Sequence, residues 1–391
     1  MDESSQRPGY ILPIIVISQF AGTSLWFAGN AILPDIQDAW NLPGSAIGWI
    51  SSSVQLGFIS GTFLFALFSV SDRFSSQKVF FYSALAGAIT NSLLIIATPT
   101  LFSIISLRFI TGFFVAGIYP VGMKIAASWF QKGLGKALGL LVGALVLGKA
   151  FPHIIRALQV DWSLIMLSIS FLTICGGLLI LLYVPEGPNT KSGRSFSFSD
   201  LITVFKNEKF RRASIGYFGH MWELYAFWTF IPLLLFEYTT LHELEINPSF
   251  YAFLIMGMGC AGCVIGGYWS LKLGSARVAF LMLAVSCLCC MISPFIFQFN
   301  FWIFITILMV WGFAVVADSP QFSTLNASSV DPALIGTGLT IVTSIGFLIS
   351  VGSIELLNFS KEYINTKYIF LLLIPGPLIG LRSVSHLIKK S

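Results

Sequence analysis

SLIMLSISFLTICGGLLILLYV, residues 163–184, runs for 22 positions without an Asp, Glu, Lys, Arg or His. About 20 apolar residues wound as an α-helix cross the hydrocarbon core of a bilayer, so this stretch reads as a transmembrane helix. It is continuously apolar, whereas a barrel strand would alternate. A helix also satisfies its own backbone hydrogen bonds, which lipid cannot do for it. Immediately beyond it lies the largest break in the chain, Pro185 to Arg212, which contains PEGPNTKSGRSFSFSD and then KNEKFRR.

On either side of that break the same pattern recurs. Apolar runs lie near 11–33, 46–70, 79–97, 101–123 and 137–157 before the quoted stretch. After the break they lie near 213–236, 250–272, 277–296, 301–322, 334–357 and 367–388. The first is the least regular, interrupted by Gln19 and Asn30. The expected fold is therefore an all-α integral membrane protein of about twelve transmembrane helices in two six-helix bundles. Its domains would be an N-terminal bundle, 1–184, a cytoplasmic linker, 185–212, and a C-terminal bundle, 213–391. Composition agrees: 56% of residues are hydrophobic and 10% charged, against about 25% charged in soluble domains.

Charge placement gives the orientation. With the N-terminus inside, 17 of the 22 Lys and Arg fall in inner loops and tails and three (Arg156, Lys361 and Lys367) in outer loops; Arg108 and Lys149 lie within spans. The positive-inside rule thus places both termini in the cytoplasm. The net charge of +5 is mostly this topology signal, and no nucleic-acid partner is implied. No cleavable signal peptide is expected, because the first apolar segment is long and follows an acidic start. Short loops suggest a multi-pass plasma membrane protein of the bacterial inner-membrane kind, acting as a monomer. The six cysteines fall within apolar runs and read as small hydrophobes, and Cys260-x-x-Cys263 lacks the second pair and histidines of a zinc site. Neither metal nor cofactor is expected.

The two halves rhyme. FSVSDRFSSQK (68–78) aligns without gaps to GYWSLKLGSAR (267–277), matching Ser71 with Ser270, Arg73 with Lys272, Ser76 with Ser275 and Lys78 with Arg277. The fourth run of each half carries a proline near its cytoplasmic end, in GIYP (117–120) and ADSP (317–320). Two parallel repeats of this kind suit transporters that rock two bundles about a central site.

With six helices, a basic linker and six more, the chain resembles the major facilitator superfamily. SDRFSSQK resembles the family's G-x-L-x-D-R-x-G-R-K loop, keeping Asp72, Arg73 and Lys78 and departing at Phe68 and Ser75. The second copy supplies Gly267, Gly274 and Arg277 but lacks the acid. RFITGFFVAG (108–117) resembles the family's R-x-x-x-G signature. The resemblance implies a secondary transporter with alternating access and no ATP site. Independently, no G-x-x-x-x-G-K-[ST] phosphate loop is present to power a pump. Gly57/Gly61, Gly139/Gly143 and Gly262/Gly266 form G-x-x-x-G pairs, and Gly336, Gly338, Gly346 and Gly352 stud the eleventh run. They suit either sliding contacts between the halves, as the resemblance implies, or static helix packing.

Embedded charge marks function, since an ion in hydrocarbon costs at least about 2.5–3.5 kcal/mol. Arg108, Lys149, Glu223 and Asp318 fall inside the expected spans. Glu223 lies roughly 15 Å into its helix and shares a face with His220 at i, i+3 spacing. Lys149, His153 and Arg156 share a face of the fifth helix, which Pro152 could bend. Trp26, Asn30, Gln55, Tyr119, Trp222, Tyr225, Trp228 and Trp311 are candidate pore-lining groups. Expected substrate contacts are Lys149, Arg108, His153, Asn30, Trp26, Tyr119, Trp222 and Trp311, and expected proton-coupling groups are Glu223, His220 and Asp318. Structural readings stand beside these: Arg108 in packing or gating, Glu223 with His220 as a hydrogen-bonded pair, and Asp318 in an ion pair with Lys124. The expected activity is transport of a small polar, anionic solute with proton symport or exchange. Efflux of amphipathic or aromatic compounds, and a transporter-like receptor, are the alternatives.

Overall fold

The computed structural model describes residues 8–130, 134–188, 203–331 and 334–388. Twelve helices among the described residues are long and apolar enough to cross a membrane. They are α1 (Ile11–Gln37), α2 (Ala46–Leu67), α3 (Ser76–Ile95), α4 (Leu101–Trp129), α5 (Ala137–Ala157) and α6 (Trp162–Tyr183), then α7 (Glu208–Leu241), α8 (Pro248–Leu273), α9 (Ser275–Ile292), α10 (Phe301–Ala327), α11 (Gly338–Ser360) and α12 (Thr366–Ile388). Half of the expected linker, residues 189–202, lies outside the described residues. α7 starts five residues before the apolar run because polar residues also favour it there. Asn207 caps its N-terminus by accepting from the Lys209 and Phe210 amides, and Arg212 pairs with Glu208 one turn earlier.

Four helices are interrupted. α1 divides into Ile11–Thr23 and Ala28–Ala39, with a turn at Ser24–Phe27 between them. α4 divides into Leu101–Val115 and Tyr119–Trp129, and α10 into Phe301–Ala317 and Ser319–Ala327. The matched prolines explain the second pair: Pro120 and Pro320 each sit in the first turn of the second part, where a missing N–H is harmless, and neither could continue the preceding helix. α12 passes through a 3₁₀ turn, Phe370–Leu373, before restarting at Pro375. Pro152, by contrast, lies within a continuous helix.

By internal contacts the chain forms two compact units, residues 1–42 with 53–195 and residues 43–52 with 196–391. Packing in one repeats in the other at an offset of six helices. In the first, α1 packs on α5 and α6, and α3 on α4 and α6; in the second, α7 packs on α11 and α12, and α9 on α10 and α12. Segment 43–52 counts with the second unit because α11 holds it. Asn358 Nδ2 donates to the Ser45 carbonyl at 2.8 Å, and Ser52 Oγ to Glu355 Oε1 at 2.5 Å. Just past α11, Lys361 Nζ donates to the Gly44 carbonyl at 2.6 Å.

The glycine pairs take the static reading in two of the three cases. Gly57 and Gly61 of α2 face the Phe109 and Phe113 carbonyls of α4, and Gly112 of α4 faces the Val54 carbonyl in return. Gly262 and Gly266 of α8 face Phe313 and Ala317 of α10, and Gly312 answers against Ile255. A Cβ at Gly57, Gly61, Gly112, Gly262 or Gly312 would collide with main chain, and one at Gly266 would be tight at 3.0 Å, so glycine sets how closely α2–α4 and α8–α10 approach. Nothing lies within 4 Å of a Cβ added at Gly139.

Candidate functional site

In the first unit the site begins at the turn of α1. Interrupting a helix inside a membrane strips its carbonyls of their intrahelical donors, and something must replace them. Arg108 of α4 does so: Nη2 donates to the Leu25 carbonyl and, at 3.2 Å, to that of Trp26. Nη1 donates to Asn91 Oδ1 of α3 at 2.8 Å. Asn91 is fixed from its other end, where Nδ2 donates to the Met166 carbonyl at 3.1 Å and to Ser170 Oγ at 3.0 Å on α6. Arg108 and Asn91 are each 1% exposed. The fork of Arg108 is thus occupied by the protein's own oxygens, which favours the packing reading over solute contact.

Trp26, at the held turn, carries the second element. Its ring lies 3.9 Å from Lys149 Nζ of α5, a cation–π contact, and 5.1 Å from the ring of Phe58. Lys149 is 1% and Trp26 3% exposed. One turn along α5, His153 is buried beside Phe27, its ring 6.5 Å away, and its Nε2 makes no hydrogen bond among the described residues. Arg156 closes this face at the end of α5 in an ion pair with Asp35 at 2.6 Å. Asn30 is buried on the second part of α1, and Tyr119 opens the second part of α4. The structure therefore joins Trp26 to both Lys149 and Arg108.

The second unit holds the carboxylates, in a ladder between α7 and α10. Ser214 Oγ donates to Asn326 Oδ1 at 2.8 Å. His220 Nδ1 lies 2.8 Å from Asp318 Oδ1, both side chains fully buried, in an approach that is close without being a well-directed hydrogen bond. Glu223 Oε1 accepts from Trp311 Nε1 at 2.6 Å and from Cys290 Sγ at 3.4 Å, while Oε2 accepts from Ser286 Oγ of α9 at 2.9 Å. Phe227 lies under Trp311 with centroids 4.5 Å apart. One expectation is thereby corrected. His220 pairs with Asp318 on the facing helix and not with Glu223 on its own, because residues on one helix face lie side by side while their polar tips reach across. In the first unit Lys124 Nζ donates to the Ser71 carbonyl at 2.5 Å.

Two aromatic candidates have internal tasks. Trp311 is fully buried against Glu223. Trp222 donates from Nε1 to the Leu372 carbonyl at 3.2 Å, meeting an oxygen in the interrupted part of α12. Of the loop-motif residues, Gly274 has φ +81°, a left-handed backbone that ends α8 and starts α9 and that glycine adopts without strain. Arg73, Lys78 and Arg277 are exposed, Gly267 is open to a side chain, and the Asp72 side chain lies outside the described residues. Asn91, Ser286 and Glu355 escaped the sequence reading; the first two are uncharged and the third lies near the end of its span. Their signal was a polar residue within an apolar run.

Family comparison brings these observations together. A profile of the Major Facilitator Superfamily matches residues 15–353. The chain belongs to the Major Facilitator Superfamily. As a member it is a multi-pass membrane transporter of small-molecule solutes and not an enzyme. The crystal structure of a mutant of the nucleoside transporter NupG is similar with a TM-score of 0.73 and 14% identity, covering 96% of this chain and 99% of that one. A bacterial homolog to the human lysosomal transporter Spinster, in an inward-facing and occupied conformation, is similar with a TM-score of 0.70 and 13% identity, covering 97% and 96%. At such identities the likeness is one of fold. The superfamily fold accounts for the packing that repeats at an offset of six helices.

Proposed function

We propose that this transporter is a secondary carrier of a small polar, anionic solute, coupled to protons and working by alternating access as a monomer. It would lie in a bacterial inner membrane with both termini in the cytoplasm. The observation that carries the reading is the Lys149 ammonium, 1% exposed and set on the face of Trp26. A buried cation is expensive, and the π-face of Trp26 is a favourable partner for an ammonium in such a place. In the second unit Glu223, with His220 and Asp318, supplies groups of the type that take and release protons. His153, one turn from Lys149, is a secondary contact.

The test is uptake in proteoliposomes of small carboxylates, inorganic anions and amino acids, with and without a pH gradient. An anion should enter, its accumulation should follow the gradient, and Lys149→Met should abolish its uptake while Lys149→Arg retains part. Flux of amphipathic cations alone would favour efflux, and saturable binding without flux would favour a receptor. Either result would overturn the proposal.

A further inference from the structure

We infer that Arg108 and Asn91 are positioning residues: together they hold the interrupted turn of α1 so that the Trp26 ring meets the Lys149 ammonium. The inference rests on the reading of Lys149 as the solute's anchor only for its functional meaning; its geometry stands apart.

Three features carry it. First, the held atoms are main chain. Arg108 grips the carbonyls of Leu25 and Trp26, so it fixes the backbone from which the Trp26 side chain springs. A lysine could not reproduce this, because only the planar guanidinium offers Nη1 and Nη2 as a rigid fork to three oxygens on two helices. Second, the fork is itself aimed. Asn91 receives Nη1 through Oδ1 and spends its Nδ2 on Met166 and Ser170 of α6. An amide flip would point its NH₂ at the guanidinium and its oxygen at the Met166 carbonyl, so only one orientation satisfies all partners. Third, the charge of Arg108 meets no carboxylate among the described residues, only amide and carbonyl oxygens, although its Nε makes no hydrogen bond there. An arginine engaged in this way cannot follow a proton or a solute without releasing the α1 turn. It defines the place where Trp26 presents its face.

Trp26 emission provides a test that needs no solute. In the purified full chain, the Trp26 contribution is the difference between each protein and its Trp26→Phe partner. In the parent, Lys149→Met should change this difference spectrum, because the ammonium sits 3.9 Å from the ring. In Arg108→Lys and Asn91→Leu backgrounds the Lys149-dependent change should be lost, with helical circular dichroism retained. Ser170→Ala, which loosens Asn91 from one side, covers the case in which either background fails to fold, and it should reduce the change. An unaltered Lys149-dependent change in these backgrounds, or no such change in the parent, overturns the inference. A purely structural role would lower thermal stability without uncoupling Trp26 from Lys149. Failure of the anion reading shows separately, as transport that survives Lys149→Met.

Discussion

Glu223→Gln separates charge from structure in the second unit. Glutamine has the shape of glutamate, and each existing partner can be kept. Its carbonyl oxygen takes the Oε1 position and continues to accept from Trp311 Nε1, now 2.6 Å away, and from Cys290. Its NH₂ takes the Oε2 position opposite Ser286. That hydroxyl already has an alternative acceptor in the Leu283 carbonyl at 3.1 Å, so it can donate there and accept from the amide. With every partner satisfied, the stability loss should be at most about 1 kcal/mol. Glu223→Ala instead leaves the Trp311 N–H buried without an acceptor, which alone costs about 1–3 kcal/mol. For transport, a gradient of about one pH unit is worth about 1.4 kcal/mol per coupled proton, which is roughly tenfold accumulation. The parent should show that accumulation in proteoliposomes and Glu223→Gln none, while counterflow exchange persists. Parent-like accumulation in Glu223→Gln would refute the reasoning. So would a loss of exchange and thermal stability as large as that of the alanine variant.

The His220–Asp318 pair should be worth more intact than halved. Asp318→Leu alone should cost about 3–5 kcal/mol, and adding His220→Leu should recover most of it; equal melting of single and double variants would speak against a coupled pair. Gly112→Ala drives a methyl into the Val54 carbonyl and should cost about 1–3 kcal/mol. Gly139→Ala meets nothing within 4 Å and should raise stability by about 0.5–1 kcal/mol, both read from melting in detergent. Burial pushes the Lys361 ammonium down to about 8 from 10.5, against the opposing pull of Glu362 and Glu355. Between those two pH values the unfolded chain holds the proton and the folded one does not, so stability should rise with pH there. Lys361→Met should remove that rise, and an unchanged profile would count against the burial of this group.

Length and hydropathy made the helices readable, since a bilayer imposes one span on every crossing. Their ends were harder to read. α7 begins among Glu208, Arg211 and Arg212, where capping and charge pairing rather than apolarity keep it wound. The breaks in α4 and α10 were legible through Pro120 and Pro320. The break in α1 has no proline at Ser24–Phe27; the residue that satisfies its carbonyls is Arg108, more than 80 positions away, and distant partners leave no local mark. The candidate site followed the same division. Burial of Arg108, Lys149, Glu223 and Asp318 could be read from their position in apolar runs. Their partners could not, because hydrophobic surroundings indicate that a charge needs company without naming it. For that reason Glu223 drew Trp311 and Ser286, and His220 drew Asp318.

The backbone-to-backbone seams at α2–α4 and α8–α10 have a consequence for how this sequence can vary. Where a carbonyl occupies the volume a β-carbon would need, no repacking of neighbours makes room, because main chain cannot change rotamer. A saturation library should therefore come back nearly empty at positions 57, 112, 262 and 312, while the lipid-facing sides of the same helices drift freely among apolar residues. Descendants of this gene would carry those four glycines as a fixed watermark in otherwise fluid text.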